Sequence, residues 1–103
     1  MTDVVLTERE TEEGLLVSAC DADVLGETFE NGQVSLTVET DFYDGEAAET
    51  GVPDERVLES LAACTTANLV GEYTVELAIE HGFVDEETVL DLDGTRHAQL
   101  VWL

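Results

Sequence analysis

The sequence predicts an α+β domain on a mainly antiparallel sheet of about five strands, with two helices inserted between strands 3 and 4. Three observations carry that expectation. Apolar and polar residues alternate cleanly over residues 34–39, helical spacing runs from Leu58 to Ala78, and Asp93-Gly94 between two apolar runs is a strong hairpin signal. The helices are segregated from the strands along the chain instead of alternating with them, which is the α+β pattern.

Residues 4–7 form a short β-branched and aliphatic run, and after the turn-like segment 10–14 residues 15–20 make a second, so the pair reads as a hairpin. Asp21 is placed to cap a short helical turn through Asp23, Val24 and Leu25, its side chain accepting from free backbone N–H groups, with Gly26 ending the turn. Within 34–39, Val34, Leu36 and Val38 fall on one face and Ser35, Thr37 and Glu39 on the other. That is a half-buried strand, entered from the Asn31-Gly32 turn. Phe42, Tyr43, Asp44 and Gly45 follow as a turn, and 46–51 is linker-like but too short to divide domains. Pro53 suits the first helical position, where its missing N–H costs nothing, and Asp54 and Glu55 complement the positive end of the helix dipole. Leu58, Leu61, Ala62, Thr65 and Leu69 recur at helical spacing. Leu69, Val70, Tyr73, Leu77 and Ala78 carry the pattern on to Gly82, the natural C-cap. Thr65, Thr66, Asn68 and Gly71 are poor helix formers grouped together, and they predict a break near Asn68 between two helices. Asp85 caps another short turn, 89–92 is strand-like, and the last strand spans 96–102. On it Arg96, Ala98, Leu100 and Trp102 share one face and His97, Gln99, Val101 and Leu103 the other.

At 103 residues the chain is expected to form a single domain, 1–103. Its charge balance sets the solvent. Asp and Glu number 25 against a Lys and Arg total of 3, all Arg, for a formal charge of −22. At 1 M salt the Debye length falls to about 3 Å, from about 8 Å in ordinary buffer, and repulsion between neighbouring carboxylates nearly vanishes. Disorder would also explain acidity, but disordered acidic chains lack apolar periodicity, and this one has it throughout. The charge therefore reads as adaptation to a cytoplasm of molar salt. No stretch approaches the ~20 apolar residues of a membrane span, and no basic segment precedes an apolar run at the N-terminus, so neither membrane nor export is expected. Cys20 and Cys64 form no CxxC pair, which fits a reducing cytosol.

Chemistry-bearing motifs are few. The segment starting at Asp21, DADVLGETFENG, imitates a calcium loop, but Leu25 and Gly32 occupy positions where an oxygen ligand and a bidentate carboxylate are required. Cys20, Cys64, His81 and His97 lack ligand spacing on any one element, so no metal or cofactor is implied. Cys64 lies on the apolar side of a helix and reads as packing, while Asp21 beside Cys20 raises that thiol's pKa and opposes nucleophilicity. Arg9, Arg56 and Arg96 are too few and dispersed for the basic patch that nucleic-acid binding needs, unless they converge in space. Two segments remain, NLVGE from Asn68 and GTRHAQ from Gly94. Asn68 reads as the cap of the second helix, Gly71 as a close-packing position and Glu72 as solvated. In the second segment Arg96, His97 and Gln99 add a cation, a group titrating near neutrality and an amide to one strand. Asn68, Glu72, Arg96, His97 and Gln99 are therefore the candidate binding residues, on the expectation that the last strand meets the Asn68 region.

CDADVLGETF from Cys20, FYDG from Phe42, ANLVGE from Ala67 and GTRHAQ from Gly94 resemble the archaeal domain-of-unknown-function family 424 over nearly the whole chain and in the same order. The resemblance implies a small archaeal cytoplasmic α+β protein and, with no Lys, a haloarchaeal member. It carries over no activity and no catalytic residue. Three readings stay open. The first is a non-catalytic binding module for a macromolecule, RNA or ribosome-associated, resting on the absence of a catalytic constellation. The second is a small enzyme or metal protein using Cys20, His97 and Glu72. The third is a subunit of a homo- or hetero-oligomer, joined through the C-terminal strand with Trp102 as anchor.

Overall fold

The computed structural model describes residues 3–31, 34–37, 49–92 and 94–101. Its strands are β1 (Val4–Thr11), β2 (Gly14–Asp21), β3 (Thr28–Asn31), β4 (Val34–Thr37), β5 (Glu49–Thr50), β6 (Thr66–Val70), β7 (Leu90–Leu92) and β8 (Thr95–Val101). Its α-helices are α1 (Asp54–Ala63) and α2 (Glu72–Glu80), with 3-10 turns at Ala22–Val24 and Glu86–Thr88. Six strands form one sheet in the order β5-β1-β2-β6-β8-β7, and β3 and β4 pair as a separate ribbon. Among the described residues every pairing is antiparallel except β2 with β6. The α+β class and the mainly antiparallel sheet are as expected, with more strands than the pattern gave.

One segment was misread. The expected helical break at Asn68 is a strand, β6, so the two helices flank it instead of following one another. Ala67, Leu69 and Val70 are all fully buried, Leu69 beneath the helices and Val70 on the opposite face. Thr66, Ala67, Asn68 and Leu69 alternate half-buried with buried, but four alternating residues set within helical spacing that runs from Leu58 to Ala78 are too short to stand out as a strand. Thr66 and Val70 at its ends are β-branched, which favours the pleated conformation. Since β6 runs parallel to β2, the chain must cross over between them, and α1 lies in that crossover.

Both helices pack on one face of the sheet. Val57 and Leu61 of α1 and Val75 and Ala78 of α2 join Leu6, Val17, Ala19, Leu69 and Ala98 in the main core. The opposite face carries Val5, Cys20 and Val70, closed by Val24 of the first 3-10 turn. Helix α1 starts one residue later than expected: Pro53 is its N-cap, and the Pro53 carbonyl accepts from Arg56 N and Val57 N. Helix α2 ends as expected. Gly82, at φ 77°, lets Gly82 N donate to Ile79 O and Phe83 N to Ala78 O, which satisfies two last-turn carbonyls. The Asn31-Gly32 turn, the second half of the 34–39 alternation, the Phe42–Gly45 turn, the first part of the linker-like stretch, Asp93 of the hairpin, Trp102 and Leu103 lie outside the described residues.

Candidate functional site

The parallel pair β2 and β6 ends together, Cys20 beside Val70, and each strand then turns sharply. After β2, which ends on Asp21, comes the 3-10 turn; after β6 comes Gly71 and helix α2. Asp21 was expected to cap its own turn, and it does not. Its carboxylate, 5% exposed, instead accepts from Tyr73 N at 3.0 Å, Thr74 N at 2.9 Å and Thr74 Oγ1 at 2.7 Å. A residue from β2 thus supplies the cap of α2, and its negative charge meets the positive end of that helix. Asn68, expected in that role, is in mid-strand.

Gly71 makes this possible. It sits at φ 117° and ψ 148°, and a Cβ there would overlap the Asp21 carboxylate. Its own N–H donates to Arg96 O at 2.9 Å, tying the turn to β8.

Where these turns meet the start of β8 there is a cleft of about 400 Å³. Asp23 and Val24 line it from the 3-10 turn, Glu72, Tyr73 and Glu76 from α2, Gly94 from the β7–β8 connection and Thr95 from the start of β8, with Asp21 alongside. Glu76 accepts from Arg96 Nη1 at 3.3 Å, and Arg96 also approaches Glu86 at 3.7 Å and Asp91 at 3.4 Å. Tyr73 Oη donates to Asp54 Oδ1 at 2.6 Å, a bond that pushes the phenol's pKa up. Thr95 is 4% exposed, and among the described residues its Oγ1 has no hydrogen-bond partner. A buried hydroxyl left unpaired costs about 1–3 kcal/mol, and native structures keep few of them. A smaller hollow of about 180 Å³ at the opposite end of the β2–β6 pair contains no such atom.

The five candidate residues divide between two places. Glu72 lines the cleft, and Arg96 stands behind it holding Glu76. Asn68, His97 and Gln99 lie on the sheet face away from the helices. There Thr7, Ser18, Asn68 and Gln99 are successive partners in one polar row across β1, β2, β6 and β8, closed by Gln99 Nε2 donating to Asn68 Oδ1 at 2.9 Å. Strand β8 does meet the Asn68 region as expected, but the five do not form one cluster. His97 occupies the neighbouring row, where burial lowers its pKa.

Cys20 and His97 are not neighbours. Val70 stands between Cys20 and His97 in their row, two strand spacings, or about 10 Å. Cys20 is fully buried, and neither cysteine forms a disulfide. Among the described residues no group of His, Cys, Asp and Glu has metal-binding geometry. The arginines do not converge either: Arg56 is held by Glu8 at 2.7 Å and Glu49 at 2.8 Å beside β1 and β5, far across the sheet from Arg96.

A model of the family described as protein of unknown function, DUF424, matches residues 8–103. The chain belongs to that family. The DUF424 fold recurs in the crystal structure of an uncharacterized conserved protein from Methanopyrus kandleri, with a TM-score of 0.73 and 23% identity over 98% of this chain and 95% of that one. At that identity the likeness concerns the fold. No curated protein matches the chain. Three of the four segments that carry the DUF424 resemblance, those starting at Cys20, Ala67 and Gly94, contribute to the cleft; the Phe42 segment lies outside the described residues. Sequence reasoning passed over Asp23, Glu76, Tyr73 and Thr95. The signal for Thr95 was its place in GTRHAQ, where a β-branched residue opening a strand reads as packing alone.

Proposed function

We propose that this protein is a non-catalytic binding module that recognises a macromolecular partner through the cleft beyond β2 and β6. The buried, unpaired Thr95 hydroxyl carries the reading, because a partner supplying a hydrogen bond would remove its desolvation cost. The volume of about 400 Å³ falls in the range of ligand pockets. RNA itself is the weaker partner, since Arg56 and Arg96 are already engaged by carboxylates; a protein of an RNA-bound or ribosome-associated assembly fits the acidic cleft better. The setting we propose is the cytoplasm of a haloarchaeon. A charge of −22 with an intact apolar core supports it, and among the described residues no helix is long and apolar enough to cross a membrane.

The test is affinity purification from a lysate kept at molar KCl, comparing the wild type with Thr95→Val. A partner enriched by the wild type and lost from the variant is the expected result; identical recoveries would overturn the reading. Self-association is a second reading, favoured by Val101, 56% exposed, on a strand that β7 pairs only from Thr95 to His97. A mass measurement in molar KCl decides it, a monomer counting against.

A further inference from the structure

Resting on that reading, we infer that the cleft takes an organic cation: the ammonium or guanidinium group of a lysine or arginine side chain on a basic partner, or of a free amine. Four acidic side chains border the cleft, Asp21, Asp23, Glu72 and Glu76. Acidic residues abound on this chain, so their number alone means little. What separates this group from the rest of the surface is Thr95 in its lining, 4% exposed, whose buried hydroxyl has no hydrogen-bond partner among the described residues.

The sign of the ligand follows from what is already occupied. A helix N-terminus usually attracts anions, because its first N–H groups point outward unpaired. Here Tyr73 N and Thr74 N both donate to Asp21, so an arriving phosphate or carboxylate would find those donors taken and carboxylates on several sides. A cation finds the reverse. Asp23 and Glu72 are exposed and enter no salt bridge among the described residues, while Glu76 is shared with Arg96. Thr95 Oγ1 would accept one N–H of the cation and keep its own proton free for a carboxylate. Tyr73, at 37% exposure, lines the same cleft, and an aromatic ring there adds to the attraction of a cation. A bare alkali ion would fill only a small part of about 400 Å³, whereas a guanidinium with its alkyl stem matches the mixed lining of Val24, Tyr73 and carboxylates.

Calorimetric titration of the full chain in molar KCl tests this. The probes are agmatine, the N-acetyl methylamides of arginine and lysine, and N-acetylnorleucine methylamide as the uncharged control. Saturable one-to-one binding of a charged probe, undetectable for norleucine and weakened at least tenfold in Thr95→Val and in Glu72→Gln, is expected. Preference for agmatine indicates a free amine, and preference for the blocked amino acids a peptide side chain. Absence of saturable binding to every charged probe, or binding unchanged in both variants, would overturn the cation assignment. If the probes fail while a co-purifying partner still depends on Thr95, the binding module stands and only the ligand class falls. Urea unfolding of each variant verifies that the fold is intact.

Discussion

At the scale of single residues, Asp21 joins stability to the site. Its carboxylate closes the end of β2, caps α2 and satisfies Thr74, whose side chain is fully buried. Asp21→Ala leaves two helix N–H groups and a hydroxyl without their acceptor, and is expected to lower the urea unfolding free energy by about 2–3 kcal/mol. Gly71→Ala is expected to cost a similar amount, through its φ of 117° and the overlap with Asp21. Because the second cost arises partly from the Asp21 side chain, the double variant should be less destabilised than the sum of the singles; strict additivity would contradict the contact. His97 supplies a pH dependence. Burial holds its folded pKa below the ordinary 6.5, so over that interval the unfolded chain binds more protons and stability rises with pH. His97 therefore favours the fold fully above pH 6.5 and loses that contribution as pH falls toward its folded pKa. Glu8 acts in the same direction at lower pH, its pKa held down from 4.5 by hydrogen bonds from Arg56 and then Ser60. His97→Asn should flatten the wild-type slope just below pH 6.5; an unchanged slope would place its origin elsewhere.

At the scale of elements, legibility in the sequence tracked how each segment is buried. The hairpin β1–β2 was legible because its aliphatic runs flank a short polar turn, although the strands reach further, to Thr11 and from Gly14. Helix α1 and the end of α2 were legible from Pro53 and Gly82, whose backbone chemistry acts locally. Strand β6 was not, because its alternation lasts only from Thr66 to Leu69 and lies among apolar positions that also fit helical spacing. The same limit hid the site. Asp21 and Thr74 are 53 positions apart, so the cap between them is a consequence of the crossover, and local reading assigned Asp21 to the nearest turn. As a central strand paired on both edges, β6 should hold the slowest amide exchange, with Ala67 to Val70 opening only in global unfolding. Exchange there as fast as in the flanking turns would contradict its place in the sheet.

At the scale of the whole molecule, charge and site must be separated. A surface carrying −22 repels itself in dilute buffer, and this repulsion weakens as the Debye length falls from about 10 Å at 0.1 M to about 3 Å at 1 M. The thermal midpoint should rise steeply with KCl up to about 1 M, and a flat response would remove the halophilic reading. Such screening also weakens diffuse attraction of any cation to the acidic surface. The cleft keeps an advantage in molar salt through the buried Asp21 carboxylate and Thr95 hydroxyl, since buried groups are screened less. The central claim is therefore best tested by locating the bound cation. Amide resonances of isotope-labelled protein in molar KCl are recorded while agmatine is added. The account predicts saturating shifts confined to Asp21 to Val24, Gly71 to Glu76 and Gly94 to Arg96. Shifts scattered over the acidic surface, or none, would contradict it.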